Sequence, residues 1–221
     1  MSNPIASEIE LREEHREALR GHAIELLRLG HAKLDAASFA RSEEEDITGK
    51  LKEAIETFIE TEPNPPKWVE RYTVYDAEKP TGTPRKGKAR PRIDITIKRH
   101  WKLRVTHPRF RFEAKRLKAD NKLSPYFGKE GIGCFLRGFY PLTPAEAGMI
   151  GYAQAGTLSI WQTRLGCYAN THKKRLRIVP GGEWKNYECS LPHSSMTAHR
   201  HPAFSRLTVV HLLLPFFKSK T

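Results

Sequence analysis

Hydrophobic residues recur at helical spacing in two stretches near the N-terminus. From 7 to about 39, a charged, leucine-bearing stretch predicts a long helix or a helical hairpin that packs on the rest of the chain or on a partner. From 42 to 59, Ser42 and Glu45 match a capping box and acids fill the first turn. The apolar stripe of this second predicted helix is Ile47, Leu51, Ala54, Ile55 and Phe58.

Alternation with a period of two follows the proline-containing stop at 62–66. It predicts strands over 68–75, 92–99 and 109–117. Beyond them we expect helices over 129–139 and 158–168, with strands over 148–153, 176–179, 187–191 and 207–216. The pattern therefore predicts an α/β fold, a mixed central sheet flanked by helices, with an N-terminal helical extension.

The same pattern divides the chain into a helical segment, 1–41, and a main domain, 42–221. Within the main domain, the stretch 76–91 is rich in Gly, Pro, Lys and Arg. A stretch of this composition has little to bury, so it is predicted to be a mobile basic loop.

Charge changes the picture more than overall composition, since a hydrophobic fraction of 38% is ordinary for a folded protein. Residues 1–60 hold 14 acids against 8 Lys and Arg, residues 61–120 hold 7 against 17, and residues 121–221 hold 4 against 13. A basic body of this kind attracts nucleic acid. Three widely spaced cysteines, no signal-like N-terminus and no long apolar run indicate a cytoplasmic protein without a membrane partner.

Two of the predicted strands carry an acidic residue on the face opposite their apolar side chains. Asp94 lies in 92–99, where three isoleucines form the other face, and Glu113 lies in 109–117 together with Lys115. Neighbouring strands lie about 4.8 Å apart, so one cation can meet a carboxylate from each strand.

This combination of residue types suits the hydrolysis of phosphodiester bonds. Mg²⁺ or Mn²⁺ prefers oxygen ligands, for which Asp94, Glu113 and the Ala114 carbonyl are candidates. A lysine two residues after the second acid shares its strand face, and Lys115 can position water or stabilise negative charge there. The triplet is weak by itself, because Glu183-Trp184-Lys185 repeats it after two glycines and without a nearby aspartate. A solvated strand face with Glu113 and Lys115 in surface pairs is the structural alternative.

The order of elements around Asp94 and Glu113-Ala114-Lys115 resembles the PD-(D/E)XK, or restriction-endonuclease-like, nuclease superfamily. In particular, the segments 112–117, 131–140 and 148–152 are similar to small bacterial defence-associated nucleases. The resemblance covers 42–155 well and the C-terminal third weakly, and Ile93 replaces the usual proline. It implies a restriction-endonuclease-like core and a Mg²⁺-dependent DNA endonuclease that acts as the effector of an anti-phage system.

By the same resemblance, an acid on the first core helix often completes the site. At 100° per residue, Glu44 projects along the inward stripe, whereas Glu45 and Asp46 point away. Glu44 is therefore the predicted auxiliary acid.

Basic residues beside the site are candidates for binding phosphates, although a solvated basic face would look the same. They are Arg85, Lys86, Lys88, Arg90, Arg92, Arg116 and Lys118. The acidic N-terminal helices are expected to bind a protein partner or to mediate self-association. A non-catalytic nucleic-acid-binding module and an RNase or toxin with the same site remain alternatives. A zinc site at Cys189, His193, His199 and His201 has no standard spacing and is disfavoured.

Overall fold

The computed structural model describes residues 4–79, 92–100, 108–120, 122–140, 142 and 145–217, with the backbone alone for 4–12. The helices are α1 (Pro4–Ala32), α2 (Glu44–Thr61), α3 (Ser124–Phe127), α4 (Gly133–Leu136) and α5 (Leu158–Thr171). The strands are β1 (Tyr72–Glu78), β2 (Ile93–Arg99), β3 (Arg109–Leu117), β4 (Glu146–Ala153), β5 (Lys185–Asn186), β6 (Ser195–His199) and β7 (Leu207–Pro215).

The strands form one mixed sheet in the order β1-β2-β3-β4-β7-β6-β5. The pairs β3–β4 and β4–β7 are parallel, whereas the remaining pairs are antiparallel. The central strand β4 is buried along its whole length, as expected of a strand that has parallel neighbours on both sides and is covered on both faces. Its Gly148 is required by close packing, because a Cβ there would meet the Phe112 ring at 2.1 Å.

Two hydrophobic clusters cover the two faces of the sheet. One contains the buried residues of α1 and α2, and the other contains those of α3, α4 and α5. Leu19, Ile24 and Leu27 on α1 are fully buried in the first cluster together with Phe112. Of the arrangements expected for 7–39, a long helix packed on the rest of the chain is observed, because α1 packs on the sheet and belongs to its core. The predicted division at residue 41 therefore separates two segments that share one core.

The described residues confirm an α/β protein with N-terminal helices and a seven-stranded mixed sheet, but several predicted elements were wrong. The segment 68–75 begins with a 3₁₀ turn, so β1 starts only at Tyr72. The helix predicted over 129–139 is reduced to the four residues of α4, in a segment where a Cβ on Gly131 or Gly133 would meet backbone oxygens. The strand predicted over 176–179 is a single bridge at Ile178, and the one over 187–191 is replaced by the two-residue β5. The strand β6 was not predicted.

No helix in the described part of the chain combines the length and the apolar composition that crossing a membrane requires.

Candidate phosphodiesterase site

The site forms where β2 and β3 stop pairing. Their ladder runs from Lys98↔Arg109 to Ile95↔Phe112, and one further step in this register would place Asp94 opposite Glu113. At that point the Ala114 N–H donates a hydrogen bond of 2.7 Å to Asp94 Oδ2. At the end of the ladder the Asp94 side chain thus accepts the hydrogen bond of a β3 backbone N–H, and this fixes it beside β3.

Lys115 brings the predicted acids together. Its Nζ lies 2.7 Å from Glu44 Oε1, 3.1 Å from Glu113 Oε1 and 3.8 Å from Asp94 Oδ2. The lysine side chain is 11% exposed and that of Glu113 6%. The carboxylates of Asp94 and Glu113 are consequently within joint reach of one cationic centre, which here is the ammonium group. The structural alternative, a solvated strand face with Glu113 and Lys115 in surface pairs, does not hold, because both residues are buried.

The N-terminus of α2 presents Glu44 to this centre. Glu44 is the first residue of the helix, and its Oε2 accepts a hydrogen bond of 3.1 Å from the Arg116 N–H. The Arg116 guanidinium binds the Glu43 carboxylate and donates to the Ser42 carbonyl at 3.2 Å. The side-chain amide of Gln154, which follows β4, donates to the Ser42 and Phe39 carbonyls at 2.9 Å each. These contacts fix the chain that leads into α2, and thereby Glu44.

Burial and crowding of like charges alter the acid–base properties of the strand acids. Burial, followed by the neighbouring Asp94 charge, raises the pKa of Glu113 to about 8. Burial also raises the pKa of Asp94, against the opposing effect of Lys115. Burial by itself would lower the pKa of Lys115, but the charges of Glu113, Asp94 and Glu44 together raise it. Three acids therefore surround one permanently protonated amine, and the excess negative charge has to be relieved by a proton or by an additional cation.

The donor set fits a magnesium or manganese ion held by two carboxylates. Asp94 and Glu113 are hard oxygen donors that both lie within 4 Å of the same ammonium group, and a divalent cation would offset the buried charge that raises their pKa values. Within the described part of the chain, no three His, Cys, Asp or Glu side chains converge as a metal-holding group. The Glu44 carboxylate is occupied by Lys115 and the Arg116 backbone. The fit is therefore to two acids and the predicted Ala114 carbonyl, with Glu44 acting on the lysine.

Of the predicted phosphate-binding residues, Arg92, Arg116 and Lys118 lie in the described part of the chain. Arg92 and Lys118 are exposed, two residues before Asp94 and three residues after Lys115 in the chain. Arg116 is half-buried and occupied by Glu43 and Ser42, so its described contacts serve the architecture of α2. The candidates Arg85, Lys86, Lys88 and Arg90 lie outside the described residues.

The second acid-x-Lys triplet is structurally unlike the first. Glu183 is on the surface and lies 3.4 Å from Lys173, and Lys185 is exposed on β5. Burial of the first triplet and exposure of the second agree with the distinction drawn from their sequence context.

The disfavoured zinc set is likewise dispersed into other contacts. Cys189 donates to the Leu191 carbonyl, and His193 lies against Gln162. His199 Nδ1 lies 2.7 Å from the Leu176 carbonyl, so it must donate, and His199 Nε2 must accept from Thr197, 2.6 Å away. The Thr197 hydroxyl then accepts from His211 Nε2 at 2.7 Å, and His211 Nδ1 accepts from the Tyr126 hydroxyl at 3.1 Å. These histidines form a buried hydrogen-bonded chain in which both are neutral.

Sequence reasoning missed two residues at the site, Gln154 and Tyr140. Gln154 could have been suspected, since polar residues directly after a buried parallel strand often face a functional site. The Tyr140 hydroxyl lies 3.1 Å from Glu113 Oε2. No spacing in the chain links Tyr140 to Glu113, so this contact was not predictable.

Comparison with known proteins adds no identification: no family model, no curated protein and no solved structure matches this chain.

Proposed function

We propose that this protein is a metal-dependent nuclease that hydrolyses phosphodiester bonds, with DNA as its substrate. The observation that carries the proposal is the cluster in which Asp94, Glu113 and Glu44 surround the Lys115 ammonium within 4 Å, with Glu113 and Lys115 buried and Asp94 and Glu44 half-buried. A purely structural core gains little from such a cluster, because burying an excess of carboxylates is costly. Strongly perturbed acids that converge on one point are typical of catalytic centres.

Asp94 and Glu113 would hold Mg²⁺ or Mn²⁺, with the Ala114 carbonyl as a further ligand. A bound ion of this kind polarises the phosphate and lowers the pKa of an attacking water molecule. Asp94 is held by the Ala114 N–H, so its carboxylate is oriented before any ion arrives. Glu113 is backed by the buried face of β3, which limits the water around it.

Lys115 would orient the attacking water and stabilise the negative charge that develops on the phosphorus oxygens. Its three protons are sufficient to contact a carboxylate and a substrate oxygen at the same time. Glu44 is the closest of the three acids to Nζ, at 2.7 Å. In this scheme Glu44 keeps the lysine protonated and aimed at the site, and takes no direct part in metal binding.

The charge distribution supports a nucleic-acid substrate. Residues 61–221 contain 30 Lys and Arg against 11 acids, and Arg92 and Lys118 are exposed next to the site. Such residues bind phosphates by releasing counterions, so binding should weaken steeply with salt. The role as an effector in anti-phage defence is carried by the resemblance to defence-associated nucleases alone.

The proposal is tested by incubating supercoiled plasmid with the protein and Mg²⁺ or Mn²⁺, with EDTA as the metal-free arm. Asp94→Ala and Lys115→Ala should abolish nicking, whereas Lys185→Ala, in the exposed triplet, should leave it unchanged. Equal cleavage by the Asp94→Ala protein, or by the wild type in EDTA, would overturn the assignment. Cleavage of an RNA run in parallel, with plasmid left intact, would assign the same site to an RNase. Binding of DNA without cleavage would identify a non-catalytic binding module.

A further inference from the structure

Tyr140 connects the two strands that carry the metal-binding acids. It follows α4 in the chain, and its side chain is buried, with 2% exposed. Its hydroxyl oxygen lies 3.1 Å from Glu113 Oε2 on β3 and 2.8 Å from the Arg92 carbonyl, directly before β2. A single phenol therefore bridges Glu113 and the backbone two residues before Asp94.

The contact completes the fixation of the Glu113 carboxylate. Its Oε1 lies 3.1 Å from Lys115 Nζ, and its Oε2 is the atom next to the Tyr140 hydroxyl. The hydroxyl has one proton, which it donates to Glu113 Oε2 when that carboxyl group is ionised, and to the Arg92 carbonyl when Glu113 is protonated and donates to the phenol in turn. In either state the carboxyl group has a partner on each oxygen and cannot rotate without losing a buried hydrogen bond. Its direction relative to Asp94 is thus set from both sides.

The hydroxyl group, rather than the ring, makes this connection. The Tyr140 ring packs edge-to-face on Phe135, with centroids 5.4 Å apart, and a phenylalanine would pack there equally well. A tyrosine at a buried position carries a hydroxyl that must find a partner, and here its neighbours are a carboxylate and a carbonyl of the site.

We propose that Tyr140 is a positioning residue that sets the orientation of Glu113 relative to Asp94 for binding of a divalent cation. The inference rests on the proposed function, since it concerns the same centre. Partners that orient a metal ligand from outside typically change metal affinity 10- to 100-fold when they are removed.

The experiment measures binding of Mn²⁺ alone to the full chain by isothermal titration calorimetry and by the loss of the free Mn²⁺ signal in electron paramagnetic resonance. Tyr140→Phe should raise the Kd for Mn²⁺ about 10- to 100-fold. Tyr126→Phe is the matched control, because Tyr126 is also buried and loses one hydroxyl contact, that with His211 at 3.1 Å. It should bind Mn²⁺ like the wild type.

A second variant replaces Tyr140 with 4-aminophenylalanine, whose amino group restores a donor at the same place. Recovery of Mn²⁺ affinity towards the wild-type value is expected, and this arm remains informative if Tyr140→Phe does not fold. Wild-type affinity in Tyr140→Phe, an equal loss in Tyr126→Phe, or no recovery with the amino variant would overturn the role of Tyr140. Absence of Mn²⁺ binding by the wild type would overturn the metal centre itself, which separates the two failures.

Discussion

The ionisable carboxyl group of Glu113 should lower the free energy of unfolding. Replacement of Glu113 by glutamine should therefore stabilise the protein while destroying its activity. The carboxyl group is 5% exposed, and its pKa is raised from the ordinary value of 4.5 to about 8 by burial and by Asp94. A carboxyl group with a raised folded-state pKa favours the folded state fully below pH 4.5. That contribution is lost as the pH rises through the folded-state pKa, because ionisation is easier in the unfolded chain.

The magnitude follows from the two pKa values. Ionisation of Glu113 lowers the free energy of unfolding by about 1 kcal/mol at pH 5, about 3 kcal/mol at pH 7 and about 4 kcal/mol at pH 8. Glu113→Gln keeps the shape of the side chain and cannot ionise, so it should be more stable than the wild type by an amount that grows across this range. This is the usual conflict between stability and a preorganised charged site.

The assay is urea unfolding in EDTA at pH 5, 7 and 8, with plasmid nicking measured on the same preparations. Glu183→Gln, in the exposed triplet, is the control and should show no pH-dependent gain. The reasoning is refuted if Glu113→Gln is no more stable than the wild type at pH 8, or if its gain does not increase with pH. Added Mg²⁺ should raise the melting temperature of the wild type and leave that of Glu113→Gln unchanged, since only the former keeps the full ligand set.

Three further outcomes are expected. Lys115→Met should abolish nicking but tighten Mn²⁺ binding in calorimetry, because it removes the ammonium group that competes with the metal for the three carboxylates. Weaker Mn²⁺ binding would contradict this arrangement. Arg116→Ala should lower the free energy of unfolding by about 1 kcal/mol and reduce the nicking rate more than DNA affinity, because it releases the N-terminus of α2; an equal loss of both would instead indicate a phosphate contact. Burial lowers the pKa of His199 to about 4, below its ordinary value of 6.5. The neutral His199 ring therefore contributes fully to the free energy of unfolding above pH 6.5, and this contribution is lost as the pH falls towards 4. Urea unfolding should show up to about 3 kcal/mol of this loss, and His199→Gln, with an unchanged pH slope, would speak against it.

Local patterns in the sequence determined the elements that carry the candidate site. Of the predicted stripe, Ile47, Leu51, Ile55 and Phe58 are buried and Ala54 is half-buried, and the predicted bounds of β3 are those observed. Such patterns are readable because the periods of helices and strands decide which side chains share a face. Asp94 and Glu113 could therefore be placed opposite the apolar faces of two neighbouring strands.

The tertiary structure decided the rest, because burial and long-range contacts have no local signature. The burial of the polar face of β3 is one example. Arg111 is 4% exposed beside Glu78 of β1, and Glu113 is 5% exposed between Lys115 and Tyr140. β6 was missed because Thr197 and His199 are unusual core residues, whose side chains find hydrogen-bond partners only in each other, in His211 and in the Leu176 carbonyl. The Tyr140 contact with Glu113 likewise exists only because the chain returns to β3 after 27 residues.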